Sequence, residues 1–183
     1  MLNGMALAGR AAVVALVVSA GAAQAQDAAP TGERYEPAIW IDPDGCEHWV
    51  MDDGAEGFMS PHLTRQGLPV CHEQNLCGTV QGDQTFGTDS AQISTANRKS
   101  LREFFENSDA VAYTIVGHTD DRASHDYNMD LSQRRANAVA SVARDAGARL
   151  SDVRGHAAQF PKATNETADG RAQNRRVEIL CWR

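Results

Sequence analysis

The chain has 183 residues, with 17 Lys and Arg against 24 Asp and Glu and a formal net charge of -7. That length suits one ordinary domain with an appendage, and an acidic balance without a basic stripe excludes nucleic acid as the principal partner. All the cations except Lys99 and Lys162 are Arg, whose planar fork reads carboxylates through two parallel hydrogen bonds.

The N-terminus reads as a secretory signal peptide over residues 1–25. Arg10 supplies the positive start, Ala11 to Val18 the apolar run and Ala23-Gln24-Ala25 the small-residue cleavage site. The mature chain is then expected to begin at Gln26 in the periplasm. The apolar run is too short to span a bilayer. The nearest cysteine, Cys46, lies too far downstream for lipid attachment at the cleavage site.

Residues 26–37 are rich in Ala, Pro, Gly and charge and read as a flexible leader. From 38 to 78 the texture changes. Three of the four cysteines (Cys46, Cys71 and Cys77), Trp40 and Trp49 sit here among turn signals at Pro43-Asp44-Gly45, Asp53-Gly54 and Gly67-Leu68-Pro69. So few periodic apolar positions bury little core alone. An even cysteine count in an exported chain reads as two disulfides. Zinc is the rival reading, but Cys46-x-His48 and Cys71-His72 lack the spacing of structural zinc pairs. Trp40, Trp49 and Phe58 are expected to pack against the following sheet, with an exposed patch as the alternative.

Alternating strand and helix signals begin at Thr79. Thr79 to Phe86 reads as a strand, and Ser94 caps a helix with Leu101, Phe104 and Phe105 on one face. Ala110 to Val116 reads as a buried strand. A second helix from about Asp126 carries Leu131, Ala138, Val139, Val142 and Ala146 along one stripe, with Gly147 as its stop. Residues 150–160 suggest a strand and turn, 162–174 a polar loop or short helix, and 176–182 a closing strand. This order implies an α+β fold with helices packed on a mixed sheet.

The most informative stretch is Gly117 to Ala136, which sets Asp120 in the loop after a strand and Arg135 on the helix that follows. Thr119, Asp120, Tyr127, Asn128, Leu131, Ser132, Arg135 and Ala136 fall in one register with T-D-x-x-G-x-x-x-Y-N-x-x-L-S-x-x-R-A. This stretch resembles the peptidoglycan-binding loop and helix of the OmpA-like family. Phe86-Gly87-Thr88-Asp89-Ser90 resembles the family's first loop, and Asn174-Arg175-Arg176-Val177 its closing N-R-R-V signature. The resemblance covers roughly residues 79–183 and implies a βαβαββ fold with a mixed four-stranded sheet, preceded here by the disulfide-stabilised segment 38–78. It also implies first and last strands in one sheet, which favours the pairings Cys46 with Cys71 and Cys77 with Cys181 over the two other arrangements four cysteines permit.

By the same resemblance the ligand is the diaminopimelate of uncrosslinked cell wall, whose side-chain tip carries an ammonium and a carboxylate on one carbon. Asp120 takes the ammonium and Arg135 the carboxylate, with Thr119, Asn128, Asp89 and Arg175 lining the pocket. Arg134, one position from Arg135, points about 100° away and reads as solvated, and Arg176 as paired with a neighbouring acid. The family's Gly three residues after the Asp is Ala123 here. If that position needs a positive φ, the loop takes another path. His118, His125 and His156 raise pH-dependent binding.

No G-x-S-x-G, H-E-x-x-H or catalytic Cys-His arrangement is present, and no cofactor motif. The glycosidase reading, Asp120 with Asp121 or Asp126, is the weaker one. The expected function is therefore non-catalytic binding of peptidoglycan, with association to cell wall or outer membrane. The alternative is an interaction module in which 38–78 binds an outer-membrane or periplasmic protein and the OmpA-like part localises it.

Overall fold

The computed structural model describes residues 36–52 and 57–183. The signal peptide expected over 1–25, most of the leader and the Asp53-Gly54 turn lie outside the described residues.

Residues 36–61 form a three-stranded antiparallel sheet: β1 (Glu36–Ile41), β2 (Glu47–Asp52) and β3 (Gly57–Pro61), in that order. These strands are not evident from the sequence, where turn signals dominate. The β1–β2 turn is an Asx turn, in which the Asp42 side chain accepts the backbone N–H groups of Asp44 (3.0 Å) and Cys46 (2.8 Å). Gly45 takes φ +91° there, and a Cβ on it would meet the His72 carbonyl and the Trp182 ring.

The second sheet holds β4 (Gln74–Gln81), β5 (Ala112–Gly117), β6 (Leu150–Gly155) and β7 (Arg176–Trp182) in the order β4-β7-β5-β6. Two of its pairings are antiparallel and β5–β6 is parallel. The mixed four-stranded sheet matches the expected architecture. Four helices join the strands: α1 (Gly82–Thr85), α2 (Thr95–Glu106), α3 (His125–Asp145) and α4 (Ala168–Asn174).

One boundary is corrected. The strand expected over Thr79 to Phe86 begins earlier, at Gln74, and ends at Gln81, where α1 takes over. The Gly82 N–H donates to the Arg175 carbonyl at 2.7 Å. A Cβ there would lie 2.6 Å from that same oxygen, so only glycine lets the chain turn so tightly.

Helices α2 and α3 cover one face of the sheet. Their buried side chains, Phe105, Val139, Ala140 and Ala143 among them, meet Tyr113, Ile115, Val177 and Ile179 from the strands. The Ser94 side chain caps α2 by accepting the Asn97 N–H (3.2 Å). Gly147, at φ +79°, follows the C-cap of α3 as a left-handed stop. On the sheet's other face Trp182 packs with Ala112 and Ile41, so the small sheet is docked through Ile41. Of the three aromatics expected to pack against the four-stranded sheet, Trp40 does lie beside it, sharing a small cavity with Thr114, Arg154 and Trp182, whereas Trp49 and Phe58 are not among the residues lining that cavity and are 37% and 64% exposed. Strict alternation in the meander gives both of its faces apolar side chains, of which Ile41 is buried against Ala112 and Trp182 and Trp49 rests on the His62 ring.

Disulfides join Cys46 to Cys71 and Cys77 to Cys181, which leaves no thiolate for zinc. Cys77 sits inside β4, where the register with β7 shifts between Leu76 and Gly78. Among the described residues no helix is long and apolar enough to cross a membrane.

Candidate functional site

All six residues of the β5 strand are buried, and it carries the chain into His118, Thr119 and Asp120 at the edge of a cavity of about 690 Å³. From the opposite wall α3 presents Asn128, Leu131 and Arg135, and the loop after α1 contributes Asp89. The close approach of α3 to the strand ends depends on glycines. A Cβ on Gly117 would overlap the Ser132 carbonyl oxygen, and one on Gly155 would overlap the Ser132 hydroxyl.

Ser124 caps α3 by accepting the Tyr127 N–H (3.3 Å). One turn in, the Asn128 amide donates to the carbonyls of Asp120 (3.1 Å) and Ala123 (3.3 Å), tying the 120–123 loop to the helix. Asn128 therefore shapes the loop as well as lining the cavity. Ala123 is not among the residues with positive φ, so this loop has no need of the family glycine there. Asp89 does adopt φ +52°, a conformation that a short polar side chain tolerates.

Asp120 is 6% exposed and its carboxylate is held by two arginines. Arg175 Nη1 donates to Oδ2 at 2.6 Å, and Arg122 Nε and Nη2 approach the same oxygen at 3.1 and 3.0 Å. The other oxygen, Oδ1, accepts the Arg122 backbone N–H at 3.2 Å. Burial pushes the Asp120 carboxyl up, but the donated hydrogen bonds outweigh it and hold the group below the usual Asp value. Arg175 also forks onto Asp83, Nε to Oδ1 at 2.7 Å and Nη2 to Oδ2 at 2.5 Å. Those bonds raise the Arg175 pKa and lower that of Asp83.

Arg135 is only 4% exposed, yet it pairs with no carboxylate among the described residues. Its Nε donates to the Ser90 carbonyl at 3.0 Å, and its guanidinium carbon lies 5.3 Å from the centre of the Phe86 ring. Burial lowers its pKa, with the charges of Asp83 and Asp89 acting the other way. A guanidinium nonetheless stays protonated. The Thr119 hydroxyl, buried on the same cavity wall, has no hydrogen-bond partner.

The structure thus brings Thr119, Asp120, Asn128, Arg135, Asp89 and Arg175 to one cavity. Asp121 and Asp126 do not line it. Arg134 pairs with Asp130 (2.7 Å) and Arg176 with Glu178 (2.7 Å), both outside it. Sequence reasoning misses Asp83, hidden inside a segment expected to be strand through Phe86, and Arg122, which no motif position marks. His118 and His156 stack edge to face, their ring centres 5.6 Å apart, near Arg176 and Glu178. Burial first, then Arg176, pushes the His118 imidazole down to about 4, and burial also lowers His156.

Asn174, fully buried, positions Arg175. Its side chain accepts the N–H groups of Lys162 (2.7 Å) and Ala163 (2.9 Å) and donates to Ala163 O and Asn165 Oδ1, both at 2.8 Å.

Comparison with known proteins finds relatives of this sequence. Residues 85–175 match the OmpA family. The chain is 39% identical to the outer-membrane lipoprotein YfiB of Pseudomonas aeruginosa, over 74% of its own length and 83% of that protein. It is 37% identical to the probable lipoprotein YiaD of Escherichia coli, over 69% of its own length and 61% of that protein. Against the peptidoglycan-binding protein ArfA of Mycobacterium tuberculosis it is 39% identical, over 61% of its length and 36% of that protein. With its fold, its loop-and-helix register and these relatives, the chain belongs to the OmpA family.

Proposed function

We propose that the protein binds peptidoglycan without catalysis, gripping the zwitterionic tip of diaminopimelate in uncrosslinked stem peptides and so anchoring itself to the cell wall. The observation that carries this reading is Arg135, a buried guanidinium on a cavity wall without an acid partner among the described residues. A carboxylate entering there gains a two-pronged, charge-assisted partner already stripped of most of its water. The ammonium on the same carbon then faces Asp120, which is kept ionised and has lone pairs to spare on Oδ1. The cavity is lined by three Asp (Asp83, Asp89, Asp120) and three Arg (Arg122, Arg135, Arg175), a balance suited to a ligand of zero net charge. The name of the relative ArfA supports the same ligand class. Delivery is assigned to the signal peptide over residues 1–25, which places the protein in the periplasm, against the wall or outer membrane.

Pull-down by purified sacculi tests the reading. Asp120→Ala and Arg135→Ala each remove one partner of a desolvated charge pair, so each should weaken binding by about 30-fold or more. Free diaminopimelate should compete with sacculi for the wild type. Unchanged pull-down in both variants would sink the reading.

A second role is favoured by one observation. The β1–β3 sheet leaves Met51, Phe58 and Met59 exposed together with Trp40 and Trp49, a concentration of apolar side chains of the kind that marks interaction surfaces. In that reading residues 38–78 present this surface to an envelope protein, while the OmpA-like part over 79–183 holds it at the wall.

A further inference from the structure

Two arginines hold Asp120, and they are not equivalent. The Arg175 side chain is 19% exposed and has all three of its nitrogens engaged, one edge on Asp83 and the remaining nitrogen on Asp120. The Arg122 side chain is 64% exposed and has no partner but Asp120 among the described residues. It also reaches for the oxygen that Arg175 already occupies, at 3.0 Å against 2.6 Å.

A ligand's arrival upsets the charge balance around Asp120. Asp83 and Asp120 against Arg175 and Arg122 make a neutral quartet. An ammonium bound at Asp120 adds a positive charge there, while the carboxylate on the same carbon is taken by Arg135, so around Asp120 itself Arg122 is the cation left in surplus. The buried Arg175 cannot leave without abandoning Asp83, whereas an exposed ion pair separates at little cost. Arg122 sits two residues beyond Asp120, on the loop lining the cavity, with its side chain in solvent. A ligand whose tip lies inside can therefore meet the Arg122 side chain with the part that stays outside.

We propose that Arg122 is a specificity-determining residue: released from Asp120 by the ligand's ammonium, it pairs with a second carboxylate of the ligand, the one at the backbone centre of diaminopimelate. That carboxylate is free when the stem peptide ends at diaminopimelate and is an uncharged amide when the stem continues. The pocket then prefers trimmed stems over extended ones. This inference rests on the zwitterion-clamp reading of the same pocket.

The test uses the full chain and two synthetic stem peptides ending in diaminopimelate, one with the backbone carboxyl free and one with it amidated. Affinities are measured by calorimetry for wild type, Arg122→Gln and Arg122→Lys. The wild type should bind the free acid about fivefold more tightly, as expected for one solvent-exposed charge pair. Arg122→Gln should bring the ratio close to one, and Arg122→Lys should keep part of it. Equal wild-type affinity for the two peptides, or an undiminished ratio in Arg122→Gln, overturns the proposal. So does a uniform gain for both peptides in Arg122→Gln with the ratio preserved, which would make Arg122 a mere competitor for Asp120. Failure of the wild type to bind either peptide overturns the clamp reading itself, as does undiminished binding of both peptides by Asp120→Asn, which should lose both alike.

Discussion

Asp120 and Arg135 reach one cavity under different constraints. Asp120 is over-supplied with cations and Arg135 has no anion among the described residues, an asymmetry that no spacing rule announces. The motif positions themselves are legible because a loop and a following helix turn fix them over short sequence distances. The Arg175–Asp83 fork is not, since it links residues 92 apart through an irregular junction. Next to the site, His118 is buried among Glu178, Arg176 and His156, and that burial pushes its imidazole down to about 4. A histidine whose folded pKa is depressed stabilises the fold fully above pH 6.5 and loses that contribution as pH falls toward 4, because the unfolded chain takes up the proton first. Stability should therefore fall between pH 6.5 and 4 by on the order of 3 kcal/mol from this residue. Chemical denaturation across that range checks it: His118→Gln should flatten the slope, and an equally steep slope in the variant would refute the assignment.

At the level of elements, the placement of α3 decides whether the pocket exists. The sequence discloses this helix through its apolar stripe and Gly147 stop, and its placement depends on Gly117 and Gly155, which let the Ser132 turn rest on the ends of β5 and β6. Gly117→Ala forces a Cβ against backbone, so a loss of about 1–3 kcal/mol is expected. Sacculus binding should drop with it, since Asn128 and Arg135 ride on the displaced helix. Gly147→Ala is the contrast. Its φ of +79° makes alanine strained, but nothing lies within 4 Å of the added carbon. A cost near 1 kcal/mol with unaltered binding is expected there. Thermal melts and pull-downs of the two variants side by side distinguish a packing role from general destabilisation. The β4–α1 boundary escapes sequence patterning for a related reason: what ends the strand is the Arg175 carbonyl, a partner far away in sequence.

For the whole molecule, the order of periodic segments announces the four-stranded sheet, whereas nothing announces the small β1–β3 sheet, because Ile41 is its one fully buried apolar side chain among the described residues and no buried stripe marks its strands. The Cys46–Cys71 bridge closes a separation of 25 residues, worth on the order of 3 kcal/mol in the chain-entropy account. The paired change Cys46→Ser and Cys71→Ser should lower the melting temperature yet leave sacculus binding intact, because the cavity is lined by residues between Asp83 and Arg175. Loss of binding in that variant would show that the appendage supports the pocket. The second bridge acts on the pocket itself. Cys77 and Cys181 enclose the pocket-lining residues within one covalent ring, with a sequence separation of 104. When a chain held at its pocket is tugged from its N-terminal side, everything before residue 77 can unravel strand by strand, but at residue 77 the bridge ties β7 to β4, so the pull must then strain two strands of the main sheet together.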